Sequence, residues 1–238
     1  MITDARLLED SDQLCKRIAK QSGGIGVLSF SMGKDSIAGW IQMQKHFTKV
    51  YPVFLYMAPG LEFQRVQIEY YEKTLGIRIQ QFPNPSLYRQ LNCFMYQSPG
   101  NLDAIYDADL YEAGYDDIFS LAKMDLGISQ DTYVAVGNRM SDSLNRRTSI
   151  IRFGPENKKR KQFFPVFDWT NEEVVNEIRA SGIRLPVDYQ IWGRSFDGWD
   201  FRFLAGLKEH FPGDFQKVKE IFPLIDLELK RYEHYGII

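Results

Sequence analysis

The chain has 238 residues, of which 44% are hydrophobic and 14% aromatic, enough to bury one substantial core. Lys and Arg number 29 against 31 Asp and Glu, so a surface that is basic as a whole is excluded, while a local basic patch is compatible with the balance. The two cysteines, Cys15 and Cys93, are far apart and in no C-x-x-C arrangement, which excludes a disulfide scaffold, a four-cysteine zinc site and a four-cysteine iron–sulfur cluster within one chain.

The opening MITDARLLEDSDQL carries early acids and no apolar stretch of the secretory kind. No run approaches the roughly 20 apolar residues of a membrane span. The expectation is a cytoplasmic protein with no membrane contact. Leu7, Leu8, Leu14 and Ile18 recur at helical spacing, which predicts an amphipathic helix over about Asp4 to Gln21. After Ser22-Gly23-Gly24, the apolar run Ile25–Phe30 suits a buried parallel strand. Ser31-Met32-Gly33-Lys34-Asp35-Ser36 then leads into Ile37, Ala38, Trp40, Ile41 and Met43 at helical spacing. A second unit repeats the rhythm: a strand at Val50–Met57, a turn at Ala58-Pro59-Gly60, and a helix from Phe63 to Leu75. A third strand is predicted at Ile77–Phe82, mostly helical structure from Tyr88 to Leu126, and a further strand at Thr132–Val136. From Thr170 onward the chain reads as helical apart from a loop at Leu185–Trp199. Thr170 is placed as an N-cap with Glu173 completing a capping box, and Asp168 as a further cap of that helix.

Alternating strands and helices predict an α/β fold: a parallel twisted sheet with helices on both faces, and a helical C-terminal extension over about 171–238. The whole of 1–238 is expected to form a single domain.

The loop Ser29–Ser36 carries the chemistry. Between a strand and a helix, backbone N–H groups point outward and the helix N-terminus adds a partial positive charge, so an anion is stabilised there. Gly33 lets backbone approach phosphate, Ser29, Ser31 and Ser36 offer hydroxyls, and Lys34 adds a point charge. A Walker A loop is excluded, because it would need Gly where Leu28 stands and Ser or Thr where Asp35 stands.

Ser31–Ser36 resembles the S-G-G-x-D-S loop of the PP-loop ATP pyrophosphatases, with Met32 in place of the first glycine. Three further stretches resemble the branch of that superfamily containing PAPS reductases and sulfate adenylyltransferases. Gly60-Leu61-Glu62-Phe63 is similar to D-T-G-x-x-F, with Ala58-Pro59 where the family has Asp-Thr. Gly137 to Arg146 is similar to G-x-R-x-x-E-S-x-x-R, with Asp142 for Glu. Pro165–Thr170 is similar to P-[LIV]-x-D-W-T. Together the matches span about Ser29 to Ile178, and short members of this kind resemble those carried by phages and prophages. The resemblance implies an adenine nucleotide alpha-hydrolase-like sheet that binds ATP, or a 3′-phosphorylated relative, with Mg2+; the cysteine count, not the resemblance, argues for neither zinc nor an iron–sulfur cluster. It assigns nucleotide contacts to Ser29, Ser31, Met32, Gly33, Ser36, Gly60, Gly137, Asp142 and Ser143, and catalytic roles to Lys34, Asp35, Arg139 and Arg146. Asp35 is the expected magnesium ligand, and Arg139 and Arg146 are expected to fork onto phosphate or sulfate oxygens.

The activity implied is cleavage of ATP between its α and β phosphates to adenylate an acceptor. Two other readings stay open: a nucleotide-binding regulatory module without chemistry, and a sulfonucleotide reductase drawing a thiol from a partner. The last is disfavoured, because no cysteine follows Cys93 and the family's reductases attack sulfur with a C-terminal thiolate. In its place stands the loop Tyr189–Gly198, where Arg194, Ser195 and Asp197 among aromatics suit either an acceptor pocket or rigid packing. Arg146–Lys161 holds seven cations and one acid, which suits either a solvated loop or a contact with nucleic acid or a protein partner. The sequence leaves a homo-oligomer open.

Overall fold

Helices and strands alternate along the first half of the chain as the apolar periodicity expects. The computed structural model describes residues 7–195 and 198–236. In chain order its elements begin with α1 (Ser11–Gln21), β1 (Ile25–Ser29), α2 (Lys34–Gln44), β2 (Lys49–Tyr56), α3 (Glu62–Leu75) and β3 (Gln80–Pro83). The middle comprises α4 (Pro85–Asn92), α5 (Leu102–Ala108), α6 (Tyr115–Asp125), β4 (Val134–Ala135), α7 (Leu144–Phe153), β5 (Glu156–Asn157) and β6 (Gln162–Phe163). Five helices follow: α8 (Asn171–Ser181), α9 (Val187–Ile191), α10 (Phe201–His210), α11 (Pro212–Ile221) and α12 (Asp226–His234).

Among the described residues the strands form one six-stranded sheet in the order β3-β2-β1-β4-β6-β5. β1 pairs in parallel with β2 on one side and with β4 on the other; β4 pairs in parallel with β6, and β5 closes the edge antiparallel to β6. Alternation along β1 divides its side chains between two covered faces. Val27 packs with Val53, Val134 and, from α6, Phe119 and Ala122. Gly26 faces the other way, onto α2 and the residues just after it, where an added Cβ would come within 2.8 Å of Met43 and 2.9 Å of Phe47. Helices therefore cover both faces, and the expected α/β architecture is the one observed.

The chain divides into two compact units. One comprises the residues up to Leu55, Thr74–Phe82 and Phe119–Leu185; the other comprises Tyr56–Lys73, Pro83–Ile118 and the residues from Pro186 onward. The second unit has its own apolar core, in which Ala58, Leu61 and Phe63 pack with Leu204, Leu207 and Phe222. There the buried Asp214 accepts from Glu62 N at 2.7 Å and Phe63 N at 2.9 Å, so its carboxylate closes the positive end of α3. Among the described residues no helix is long and apolar enough to cross a membrane.

Several expectations shift in detail. The first helix begins at Ser11, capped by Asp10 in a capping box with Gln13, and the expected start at Asp4 lies outside the described residues. The third strand forms only at Gln80–Pro83, and the Thr132–Val136 run pairs only at Val134–Ala135. The hairpin β5–β6 was not expected at all, since it lies in the basic stretch without apolar alternation.

Thr170 caps α8 as expected: its hydroxyl accepts from Glu173 N at 3.2 Å while Glu173 Oε2 accepts from Thr170 N at 2.8 Å. Asp168 does not cap α8. It accepts from the backbone N–H of Ser11 at 3.2 Å and from the Ser11 hydroxyl, tying the start of α1 to a segment 157 residues away. Burial pushes the Asp168 carboxyl above its ordinary 3.8, against the opposing pull of the Ser11 donors. A folded-state value above the unfolded one stabilises the fold below the unfolded pKa and loses that contribution as pH rises through the folded one. The stability margin of the wild type over Asp168→Asn is therefore expected to shrink as pH rises from 3 to 6 in urea unfolding. A margin that grows with pH would contradict it.

Candidate functional site

β1 is the point at which the sheet changes direction of growth: the chain leaves it toward β2 on one side and later returns as β4 on the other. In open α/β sheets ligands bind outside the carboxyl ends of the strands at such a switch point. Here those ends deliver two loops, Phe30–Gly33 after β1 and Val136–Ser143 after β4.

The first loop is braced from within. Phe30 N donates to Val53 O at 2.8 Å, fixing the end of the strand. Met32 takes a left-handed backbone with φ of 62°, the conformation that suits glycine, and buries its side chain. A non-glycine residue in that region costs on the order of 1 kcal/mol, so the loop keeps its turn despite losing the family's first glycine. Gly33 is the N-cap of α2 and contributes no side-chain cap. The Ser36 hydroxyl donates back to Gly33 O at 2.8 Å, and the Ser31 hydroxyl lies 3.4 Å from it, while Ser29 ends the strand half-buried. An anion at this helix start meets a dipole end with no carboxylate capping it.

The second loop presses on the first. A Cβ on Gly137 would come within 3.0 Å of the Asp35 carbonyl carbon and 3.1 Å of its oxygen, so any side chain here would force the two loops apart by a few tenths of an ångström. Two residues on, Arg139 is 1% exposed. Its guanidinium lies 2.9 Å from Asp35 Oδ1 and 2.8 Å from Asp142 Oδ1, and it donates to Asn171 Oδ1 at 2.9 Å and Trp169 O at 3.3 Å. Its Nε sits at ion-pair distance from Asp35 but off the hydrogen-bond line, the one buried side-chain polar atom among the described residues left without a hydrogen bond. Lys34 Nζ lies 2.7 Å from the same Asp35 oxygen. Asp142 also accepts from Arg139 N at 2.9 Å and from Arg146 Nη1 at 2.7 Å. Three cations against two carboxylates leave this network with a net positive charge beside the start of α2.

The structure thus brings Lys34, Asp35, Gly137, Arg139, Asp142 and Arg146 together. It does so with Arg139 enclosed by protein oxygens, where the sequence suggested a fork open to phosphate; Arg146 is the arginine left exposed. Ser143 serves as the N-cap of α7, its hydroxyl accepting from Arg146 N at 3.2 Å. Trp169 O and Asn171, which complete the Arg139 cage, have no assigned role in the sequence, where the Asp-Trp-Thr element reads first as a cap and secondarily as support for a substrate loop.

The remaining assigned residues belong to the second unit. Gly60 turns the chain with φ of 71°, and its carbonyl accepts from Lys217 Nζ at 2.6 Å. Arg194 is exposed and Ser195 half-buried; Asp197 lies outside the described residues. Trp192 and Trp199 of that loop pack on Phe203, with ring centroids at 5.1 and 6.3 Å. Among the described residues no group of three or more His, Cys, Asp or Glu is arranged to hold a metal. Cys15 is buried with Sγ 3.7 Å from Pro165 O, and burial pushes its thiol well above the ordinary range.

No curated protein matches the sequence. Among solved structures, the NH3-dependent NAD synthetase from Campylobacter jejuni subsp. jejuni NCTC 11168, in complex with the nitrate ion, is similar over 96% of this chain and 94% of that chain, at 13% identity and a TM-score of 0.44. The family model for the phosphoadenosine phosphosulfate reductase domain matches residues 26–189, which include both switch-point loops, the Arg139 cage and α8. The chain belongs to the phosphoadenosine phosphosulfate reductase domain family, within the PP-loop superfamily.

Proposed function

We propose that the protein binds ATP at the switch point and cleaves it between the α and β phosphates, passing AMP to an acceptor. The observation that carries this reading is the pressing of Gly137 onto the Asp35 backbone with the Arg139–Asp35 bridge behind it. The two loops that must meet a triphosphate are locked to each other before any ligand arrives, which is the preorganisation that charge stabilisation requires.

An acceptor nucleophile attacks the α phosphorus. Its bond forms as the bond from that phosphorus to the α–β bridging oxygen breaks, and the electron pair leaves with pyrophosphate. Charge accumulates on the leaving group, where the start of α2 and the Lys34 ammonium oppose it. Arg146, exposed at the rim and anchored on Asp142, is the arginine that meets the anion directly. Arg139 is a positioning residue: it fixes Asp35 and Asp142 and through them Lys34 and Arg146.

Magnesium fits this donor set only as an ion that arrives with the nucleotide. Asp35 Oδ1 is shared by Lys34 and Arg139, which leaves Oδ2 as the carboxylate oxygen to offer, and magnesium is commonly held by one or two carboxylates plus phosphates and water. When bound it would neutralise phosphate charge. Cys15 does not favour a thiol reductase, since burial keeps it protonated and a thiolate is the nucleophile that chemistry needs.

Incubation with magnesium and α-32P-labelled ATP is expected to yield labelled AMP, or AMP joined to an added acceptor, with pyrophosphate. Asp35→Ala is expected to lower the yield by at least tenfold. Intact ATP despite tight binding would sink the enzyme reading in favour of a regulatory module. Sulfite release from phosphoadenylyl sulfate dependent on thioredoxin would favour the reductase instead.

A further inference from the structure

In the first unit a run of seven cations starts at Arg146, beside the phosphate-loop network, and continues beyond it. Arg146, Arg147 and Arg152 lie on α7, and Lys158, Lys159, Arg160 and Lys161 on the turn of the β5–β6 hairpin. The one acid of the stretch is turned inward: Glu156 accepts from the Tyr133 hydroxyl at 2.6 Å and pairs with Arg17 at 2.9 Å, its side chain only 8% exposed. Arg147, Lys158 and Lys159 are exposed and have no carboxylate within ion-pair distance among the described residues. In a chain of net charge −2, cations gathered in this way repel one another until an external polyanion relieves them.

The topology places these cations in two groups, one on α7 and one on the hairpin turn. α7 starts at the Asp142 rim of the nucleotide site and runs about 15 Å at 1.5 Å per residue. β6 runs parallel to β4, so the turn before it lies at the opposite end of the strands. β5 enters at the carboxyl end of β6, so α7 begins and ends near that end, and only the hairpin, with its two-residue strands, carries Lys158, Lys159, Arg160 and Lys161 to the other end of the sheet edge.

Beside α7 and the hairpin opens a cavity of about 560 Å³ with Leu7, Leu8, Phe153 and Pro155 as apolar walls; of its charged lining Arg17 is paired with Glu9 and Glu156, and Lys158 is the cation left to face a phosphate. Phe153 is 69% exposed, and the Arg152 guanidinium lies 5.1 Å from its ring centroid. An exposed aromatic flanked by cations is a stacking platform for a base, and only an unpaired base presents its face. We propose that this edge binds single-stranded nucleic acid, with phosphodiesters along α7 and the hairpin turn and one base against Phe153 in the cavity. That such a strand also carries the acceptor for AMP rests on the reading above; the binding itself does not.

Fluorescence anisotropy with the full chain tests it without any nucleotide present, so the result is independent of whether ATP is cleaved. The probes are fluorescein-labelled 20-mers of oligo(U) and oligo(dT) and a 20-base-pair duplex. Both or either single strand is expected to bind at least tenfold tighter than the duplex, the better one identifying the sugar recognised. With some four phosphates contacted, affinity is expected to fall about fifty-fold from 50 to 200 mM salt. The Lys158→Glu/Lys159→Glu variant is expected to weaken binding at least tenfold and flatten the salt dependence. Phe153→Ala is expected to weaken it about tenfold with the salt dependence unchanged. Circular dichroism verifies the fold of both variants, whose changed side chains are exposed. Absence of binding at 50 mM salt, duplex binding as tight as single strands, or indifference to the Lys158/Lys159 reversal overturns the proposal. Equal binding of polyglutamate, insensitive to Phe153→Ala, overturns it as well and assigns the edge to acidic protein segments.

Discussion

Arg139→Met is expected to lose about 3 kcal/mol of stability in the absence of any nucleotide, because it strips the shared cation from two carboxylates in one step. The wild-type guanidinium is 1% exposed and meets Asp35, Asp142, Asn171 and the Trp169 carbonyl. Methionine fills a similar volume but offers none of the donors. Asp142, whose side chain is 11% exposed, cannot recover its hydration, whereas Asp35 at 30% recovers part of it, which places the loss at the lower end of the range for breaking a buried pair. At about 2–4 °C per kcal/mol for a chain of this size, the midpoint falls by roughly 6–12 °C. Lysine at this position restores charge but not the fork, so Arg139→Lys recovers only part. Asp142 keeps Arg146 and the backbone N–H of residue 139 as partners, so adding Asp142→Asn to the methionine variant recovers only part of the loss, a coupling that a double-mutant cycle measures. The outcome that contradicts the positioning role is unchanged apo stability with weakened nucleotide binding, since that pattern belongs to an arginine whose partner is the phosphate itself.

Local chemistry was legible in the sequence wherever the determinants lie within a few residues. The strand–loop–helix at Ile25–Gln44 follows from an apolar run, a Gly-containing turn and helical spacing, and the Thr170–Glu173 box follows from its three-residue offset. Contacts that close over long separations were not legible. Arg139 reads as an anion grip because nothing in its neighbourhood announces that Asp35 and Asn171 will surround it. Asp168 reads as a cap of the helix it precedes, yet its partner is Ser11. Asp214 closes α3 from 152 residues away. The hairpin β5–β6 escaped for a different reason. Its strands are two residues long and lie at an edge, so charge could occupy them without exposing an apolar face, and no alternation was left to read.

Gly137→Ala tests the contact on which the nucleotide reading rests. Gly137 needs no unusual backbone, so alanine brings no conformational penalty of the kind incurred at positive φ; it brings one methyl group. That methyl meets the Asp35 carbonyl carbon at 3.0 Å and oxygen at 3.1 Å, and backbone in the first turn of a helix cannot rotate aside as a side-chain tip would. The loops must separate by a few tenths of an ångström, at an overpacking cost of about 1–3 kcal/mol. The larger consequence falls on geometry, because Asp35 carries the link between Lys34 and Arg139 and moves with its backbone. A misplacement of about 1 Å at a positioned group costs about a hundredfold in rate, and a few tenths of an ångström costs a fraction of that. We therefore expect kcat/KM for α–β cleavage to fall by about tenfold while the midpoint of unfolding drops by roughly 2–12 °C. Gly213→Ala, where an added Cβ meets nothing within 4 Å and the residue lies in α11, is the matched control and is expected to leave activity unchanged and the midpoint unchanged or slightly raised. If Gly137→Ala retains full activity and full stability, the two loops are not held in contact as the structure has them, and the preorganised triphosphate site falls with that contact.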